Sequence, residues 1–220
     1  MITTAPRTCF LNLLLLCLLS LIAPLSGAQD LALLNLATPQ SGCMLGNETV
    51  RVVAYNYGAR LNAGTQFLGL YALDGNASQN QLFVLDTPWE SMSARTLVFD
   101  VPGNFSNAGD HTLLVSINFA SDPNNGNNTL HNLTIRSSAM SVAGTLTPSG
   151  NGSSGMLSLS GQIGSVLQWE QSPDGLRWYK LANGDTTQSY AGLDQPTQFR
   201  VRVGNEACPA VVSPATTVTP

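Results

Sequence analysis

Residues 167–181 read LQWEQSPDGLRWYKL, with Trp169 and Trp178 on either side of a Ser172-Pro173-Asp174-Gly175 turn signal. Proline presets φ for a turn, and Asp-Gly supplies its tightest residues. Two aromatic-bearing runs joined this way predict a β-hairpin with a loop of about three to five residues. The two tryptophans then fall on neighbouring strands and bury into a two-sheet core. Further on, Thr197-Gln198-Phe199-Arg200-Val201-Arg202-Val203 alternates with the strand period and puts Phe199, Val201 and Val203 on one face. Trp169, Trp178 and Phe199 are therefore the expected core aromatics. The hairpin predicts an all-β module and shows no catalytic chemistry.

Upstream, the same punctuation recurs. Leu31, Leu33 and Asn35 alternate with Ala32, Leu34 and Leu36 in an apolar opening strand, stopped by residues 38–42, TPQSG. Strands follow over 50–57, 66–73, 81–85, 96–101, 111–118 and 130–136, each bounded by Gly, Asn, Asp or Pro. Residues 86–93, with Pro88 and Trp89, read as loop. About seven strands at this spacing predict a β-sandwich over residues 29–138. A second sandwich is expected over 139–220, with strands at 156–160, 165–171, 178–182, 189–191, 197–203 and 211–218. The stretch 148–155, PSGNGSSG, reads as a flexible loop inside this second unit.

The N-terminus predicts export. Arg7 precedes a nearly continuous apolar run from Cys9 to Leu25, and Ser26-Gly27-Ala28 supplies small residues for cleavage. Residues 1–28 are thus expected to be a signal peptide. The run contains Pro24 and falls short of the ~20 residues of a spanning helix, so no transmembrane anchor is expected after cleavage. Gln29 stands where a lipoprotein would carry cysteine. The chain is expected to be secreted, periplasmic or on the cell surface. The final residues, 211–220, read as a last strand with no anchoring signal after it. Either the protein stops in the periplasm or medium, or the native polypeptide is longer.

Composition narrows the function classes. Charged residues make up 10% of the 220-residue chain, the net charge is -4, and Lys180 is the single lysine, so no basic stripe exists for nucleic acid. No G-x-S-x-G elbow and no phosphate-binding G-x-x-x-x-G-K-S/T loop occurs. No cofactor motif is present. His111 and His131 fall in late strands of the first unit with no third zinc ligand beside them. Asp122, Asn124, Asn125, Asn127 and Asn128 form an oxygen-rich run that could be read as a calcium loop. It holds one carboxylate and no bidentate Glu, and Asn, Gly and Pro are also what tight turns use, so no metal is assigned. Sequons at Asn47, Asn76, Asn104, Asn127, Asn132 and Asn151 are expected in any Asn- and Thr-rich chain. Trp89 and Tyr57, near loops, are the candidates for a carbohydrate-facing surface.

Once the leader is removed, Cys43 and Cys208 remain, and thiols of exported proteins usually oxidise. The turn after the first strand of one sandwich faces the next sandwich, and Cys43 sits in that turn. The turn before the last strand of the second sandwich faces back, and Cys208 sits there. A bridge between the two units follows as a hypothesis. Two free thiols, or a bridge to another chain, are the alternatives, since sequence alone does not set connectivity.

Two family resemblances add to this reading. Residues 30–33 (DLAL), 48–52 (ETVRV), 56–58 (NYG), 108–115 (AGDHTLLV) and 122–129 (DPNNGNNT) resemble the CARDB, or cell-adhesion-related, domains of bacteria. Residues 154–161 (SGMLSLSG), 166–169 (VLQW), 172–175 with Trp178, 197–200 (TQFR) and Cys208-Pro209 resemble immunoglobulin-like repeats of Bacteroidota surface and adhesin proteins. The resemblances imply two tandem immunoglobulin-like β-sandwiches that space, display or adhere, and they imply no catalytic residues. Such repeats usually carry a cysteine just before the LSLSG strand. Residues 147–152, TPSGNG, have none, so Cys208 lacks the partner the resemblance implies. The expected function is a non-catalytic adhesion or spacer module with a protein or glycan ligand at the surface. A carbohydrate-binding accessory module ranks second, and a small hydrolase, lacking a nucleophile, base or metal motif, ranks last.

Overall fold

The computed structural model describes residues 27–220, and the leader read over residues 1–28 lies almost wholly outside them. The first half contains β1 (Leu31–Thr38), β2 (Gly42–Cys43), β3 (Asn47–Glu48), β4 (Arg51–Asn56), β5 (Gln66–Leu73), β6 (Gln79–Val84), β7 (Ser93–Val98), β8 (Gly103–Asn104), β9 (Gly109–Asn118) and β10 (Thr129–Ser138). The second contains β11 (Thr145–Asn151), β12 (Ser154–Ser160), β13 (Ser165–Ser172), β14 (Tyr179–Leu181), β15 (Thr187–Tyr190), β16 (Thr197–Gly204), β17 (Val211–Val212) and β18 (Thr216–Val218). The protein is all-β, and its sheets stack as immunoglobulin-like sandwiches.

In the first half, a β1-β4-β7 sheet faces a β2-β10-β9-β5-β6 sheet. Strand alternation fills the space between them. Along β9, His111, Leu113, Val115 and Ile117 point inward, and along β4, Val52, Ala54 and Asn56 do. An aromatic set closes the core: Phe67 packs on Phe83, Trp89 and Phe119, while Phe99 meets Tyr71 and Phe83 edge-on. The β5–β6 connection turns through Asp74 and Gly75, both at positive φ, the conformation an Asp-Gly hairpin turn adopts.

In the second half, β11-β12-β15 faces a sheet ordered β14-β13-β16-β17, with β18 also on β16. Trp169 and Val201 oppose each other across β13 and β16, as do Gln171 and Phe199. Trp169, Phe199, Val201 and Val203 are fully buried. The face expected of residues 197–203 is thus the core face.

Three expectations need correction. The stretch 148–155 is not a flexible loop. It is most of a hairpin, with Pro148 paired to Leu157 and Ser149 to Met156. β11 is an edge strand, the place where a sheet tolerates proline. The last strand, expected over 211–218, breaks at Ser213-Pro214-Ala215 into two short pieces that both pair with β16. Ser213 plugs the break, its hydroxyl accepting from the Val201 amide at 3.0 Å.

The third correction concerns Trp178, which is half-buried on the outer surface and not in the core. The hairpin closes on the Gln171–Tyr179 pair, with seven residues, 172–178, between these last paired positions. The resulting register pairs Trp169 with Leu181. Side chains alternate with period two, so Trp178, three residues before Leu181, falls on the opposite face from Trp169. There the Arg200 guanidinium lies 3.8 Å from its ring centroid, and Arg200 also pairs with Glu170 at 2.6 Å. The loop is stapled by Asp174, whose carboxylate accepts from the Leu176 and Arg177 amides at 2.8 and 2.9 Å. The N–H groups of Arg177 and Leu176, then the Ser172 hydroxyl, hold the Asp174 pKa below its ordinary value.

Candidate functional site at the junction of the two sandwiches

The site is built by the end of β10. β2 runs parallel to it and sets Cys43 beside Ser138 and Gly42 beside Ser137. The Met44 amide donates to the Ser138 carbonyl at 2.9 Å, the Leu45 amide to the Ser137 hydroxyl at 3.1 Å, and the Arg136 amide to the Ser41 hydroxyl at 2.9 Å. The chain that follows β1 is thereby held against the last residues of the first sandwich.

From the other side, the turn after β16 approaches the same point. The Cys208 amide closes that turn on the Asn205 carbonyl at 2.8 Å, and Glu206 takes the left-handed conformation at φ 47°. Cys208 is bonded to Cys43, with Cα atoms 4.7 Å apart and 165 residues between them in sequence. The expected interdomain bridge is therefore present, joining the turn after the first strand of one sandwich to the turn after β16 of the other.

Polar contacts surround the bridge. Glu206 accepts from the Arg136 guanidinium and from the Ser138 hydroxyl, and Arg136 also reaches Asp110 at 2.9 Å. The Arg136 hydrogen bond, then that of Ser138, holds the Glu206 carboxyl below its usual range. Arg136, flanked first by Glu206 and then by Asp110, is pushed above the ordinary arginine value. Asn205 spans the hinge, donating from its backbone to Ser141 Oγ at 2.9 Å and from its side chain to the Ala139 carbonyl at 2.6 Å. No sequence spacing signals that Arg136 and Glu206, 70 residues apart, would meet. The one usable hint is that Glu206 lies two residues before a cysteine whose partner must come from the other sandwich.

The remaining sites named from sequence lie elsewhere. His111 is buried, with Nδ1 2.7 Å from an Asp74 oxygen and Nε2 2.9 Å from the Asn107 carbonyl. Both ring nitrogens face acceptors, so a doubly protonated ring satisfies both. Burial works against that charge, but the Asp74 hydrogen bond, followed by the Asn107 carbonyl, outweighs it and raises the His111 pKa. For Asp74, burial again opposes the charge, and the His111 bond with the Thr112 amide overcomes it, leaving the carboxyl lowered. With Nε2 taken by a carbonyl, this Asp-His pair offers no proton acceptor to a nucleophile. His131 is exposed on the same strand pair and does not join it. Trp89 is fully buried, its indole N–H donating to the Ser93 carbonyl at 3.0 Å, so it presents no face to a sugar. Tyr57 remains half-exposed, tilted against Tyr55 at 4.5 Å.

Residues 122–128 form a compact corner. The Asp122 carboxylate accepts from the Leu31 amide at 2.9 Å, the Asn124 amide at 2.8 Å and Asn128 Nδ2 at 3.1 Å. A second carboxylate joins it, which sequence adjacency did not show: Asn127 Nδ2 donates to Asp30 Oδ1 at 2.9 Å and Asn124 Nδ2 to Asp30 Oδ2 at 3.4 Å. Asn125 Oδ1 lies 3.4 Å from Asn128 Nδ2. Among the described residues, no group of three or more His, Cys, Asp or Glu gathers as a metal site.

A family model described as a domain of unknown function (DUF8696) matches residues 138–220, from the last residue of β10 onward. No curated protein matches the chain. Among solved structures, the chain is similar to the CbhA fibronectin(III)-like modules of Clostridium thermocellum at 9% identity and a TM-score of 0.31, covering 84% of this chain and 90% of that one. It is also similar to the FN1–FN3 domains of chicken CNTN1 at 10% identity and a TM-score of 0.30, covering 88% of this chain and 68% of that one.

Proposed function

We propose that the chain is an exported, non-catalytic spacer or adhesion module of the cell envelope. Its two sandwiches act as one stiff body. The observation that carries this reading is the junction, where a disulfide, an Arg136-Glu206-Asp110 cluster and the Asn205 bridge tie both ends of the hinge together. A catalytic pair of domains commonly needs motion across its interface, whereas a spacer is served by removing it. The chain path fits the same role. β1 leads toward the junction, and the pairing of Thr197 with Val218 places β18 at the pole of the second sandwich remote from Asn205. Tension applied at the two ends would therefore run through both bodies and the bridge between them.

The pairing of Cys43 with Cys208 supports export, because disulfides persist in oxidising compartments. The CARDB-like residues of the first half and the adhesin-repeat-like residues of the second support the assignment to surface display. Small-angle scattering of the oxidised protein and of Cys43→Ser/Cys208→Ser tests the stiffness. The expected result is a single elongated particle that broadens its distance distribution when the bridge is lost. A glycan array tests the role: a spacer retains no sugar, and reproducible retention dependent on exposed Tyr57 would replace this reading with a carbohydrate-binding one.

A further inference from the structure

We infer, resting on the export proposed above, that Gln29 becomes the N-terminus of the exported chain and closes there to a pyroglutamyl lactam. Two observations carry this modification site. The fold begins where the leader is expected to be cut, and the residue at that point is a glutamine whose side-chain oxygen has no donor.

The boundary is sharp. Gly27 and Ala28 are exposed, Gln29 and Asp30 are half-buried, and Leu31 is fully buried. The Asp30 carbonyl accepts from the amides of Tyr57 at 2.8 Å and Gly58 at 3.1 Å, and the Leu31 amide donates to Asp122 at 2.9 Å. Gly58 fixes the backbone of Gln29 itself, since a Cβ at residue 58 would fall 2.8 Å from Gln29 Cα and 2.5 Å from the Ala28 carbonyl oxygen. Ahead of Gln29 the hold is weaker: the Ala28 carbonyl meets the Ala59 amide at 3.4 Å. Ser26 and Ala28, the small residues a signal peptidase reads, therefore end at the last exposed position before the packed strand. Cleavage after Ala28 costs the sandwich little more than that one long hydrogen bond.

Chemistry supplies the second step. An N-terminal glutamine carries nucleophile and electrophile in one residue, so ring closure is unimolecular. The neutral α-amine attacks Cδ of its own carboxamide. An N–Cδ bond forms, the Cδ–Nε2 bond breaks, and ammonia leaves with a proton taken from the α-nitrogen. No oxidant, metal or second substrate is consumed. Near its pKa of about 7.7–8.0 an α-amine is substantially neutral and able to attack. Gln29 Oε1 is buried with no hydrogen-bond donor among the described residues, which disfavours the open side chain. Closure draws Cδ and this oxygen toward the α-nitrogen, out of the position that lacks a donor. It also replaces the α-ammonium left by cleavage with a neutral amide, at a residue half withdrawn from water.

The consequence is protection. An aminopeptidase grips a free α-amine, which the lactam lacks. Trimming into Asp30 and Leu31 would strip β1 of the bonds that hold its start to Tyr57, Gly58 and Asp122.

The full chain with its own leader, produced in an exporting bacterial host and collected outside the cytoplasm, tests this. Intact mass, stepwise N-terminal sequencing and tandem mass spectrometry of the first peptide are read before and after treatment with purified glutaminyl cyclase. The expected result is a chain that starts at Gln29, is blocked to sequencing by the end of that treatment, and is lighter by one ammonia. Gln29→Ala should be exported equally, keep an open N-terminus and lose residues to an aminopeptidase that leaves the unsubstituted protein intact. An exported chain whose Gln29 amine stays open through cyclase treatment, or one that starts at another residue, overturns the inference and leaves the export reading standing. A chain that keeps its leader inside the cell overturns both.

Discussion

The first sandwich buries eighteen core residues and the second nine. The difference is greatest in aromatics: Trp89, Tyr71 and four phenylalanines are buried in the first, against Trp169, Phe199 and Tyr190 in the second. Stability follows buried apolar surface, and small units bury a smaller fraction of theirs. The second sandwich is therefore the weaker body, and the junction attaches it to the stronger one. Magnitudes rank the parts of that attachment. A disulfide closing so long a loop contributes at most about 5 kcal/mol, less where two bodies fold separately. The ion pairs of Arg136 join half-exposed side chains that solvent screens, so they add little. The covalent bond, and not the charges, dominates the docking.

The contrast can be broken most sharply at the cores. Trp169→Ala should cost about 3–5 kcal/mol, comparable with the whole stability of a unit of about 80 residues, about 4–12 kcal/mol. Calorimetry should then show the second sandwich unfolded while the first still melts cooperatively. Trp89→Ala carries a similar cost but should leave the first sandwich folded with a lowered Tm. Next in size, Cys43→Ser/Cys208→Ser should lose about 2–4 kcal/mol, read as a separate, earlier transition of the second sandwich.

Smaller effects sharpen the comparison. His111 has no counterpart in the second core. Folding raises its pKa, so its contribution is fully present below about 6.5 and is lost as pH climbs through the folded-state value. Asp74 is lowered, so its contribution holds above 3.8 and is lost as pH falls through its folded-state value. The first transition should therefore be higher at pH 5.5 than at pH 8.5, and His111→Gln should flatten that dependence without moving the second transition. Trp178→Ala should be the mildest change, about 0.5–1 kcal/mol from the lost Arg200 stacking, whereas a core tryptophan would lose several times more. Chemical denaturation separates the two values.

The sequence made the sandwiches legible wherever burial alternates strictly, as along residues 197–203 and 111–117. It misled where side-chain parity depended on strand register. The Gln171–Tyr179 pairing turns Trp178 outward, and the turn signal alone does not fix that register. It also misled where polar residues build strands, since 148–155 has loop composition yet pairs along an edge. Trp89 looked like loop because its burial comes from tertiary closure over the pole and not from any period. At the junction, the bridge was legible because topology assigns turns to poles, whereas Arg136 and Glu206 meet only once both turns are in place. The acidic corner was half-legible: Asp122 and its asparagines are contiguous, but Asp30 arrives from 92 residues earlier in the chain.

The rigidity of the pair is tested most directly by an electron–electron distance measurement between spin labels carried by unnatural side chains at Leu82 and Leu176, both exposed and one on each sandwich. The account predicts one narrow distance distribution in the oxidised protein and a broad one in Cys43→Ser/Cys208→Ser. A broad distribution with the bridge intact would contradict it.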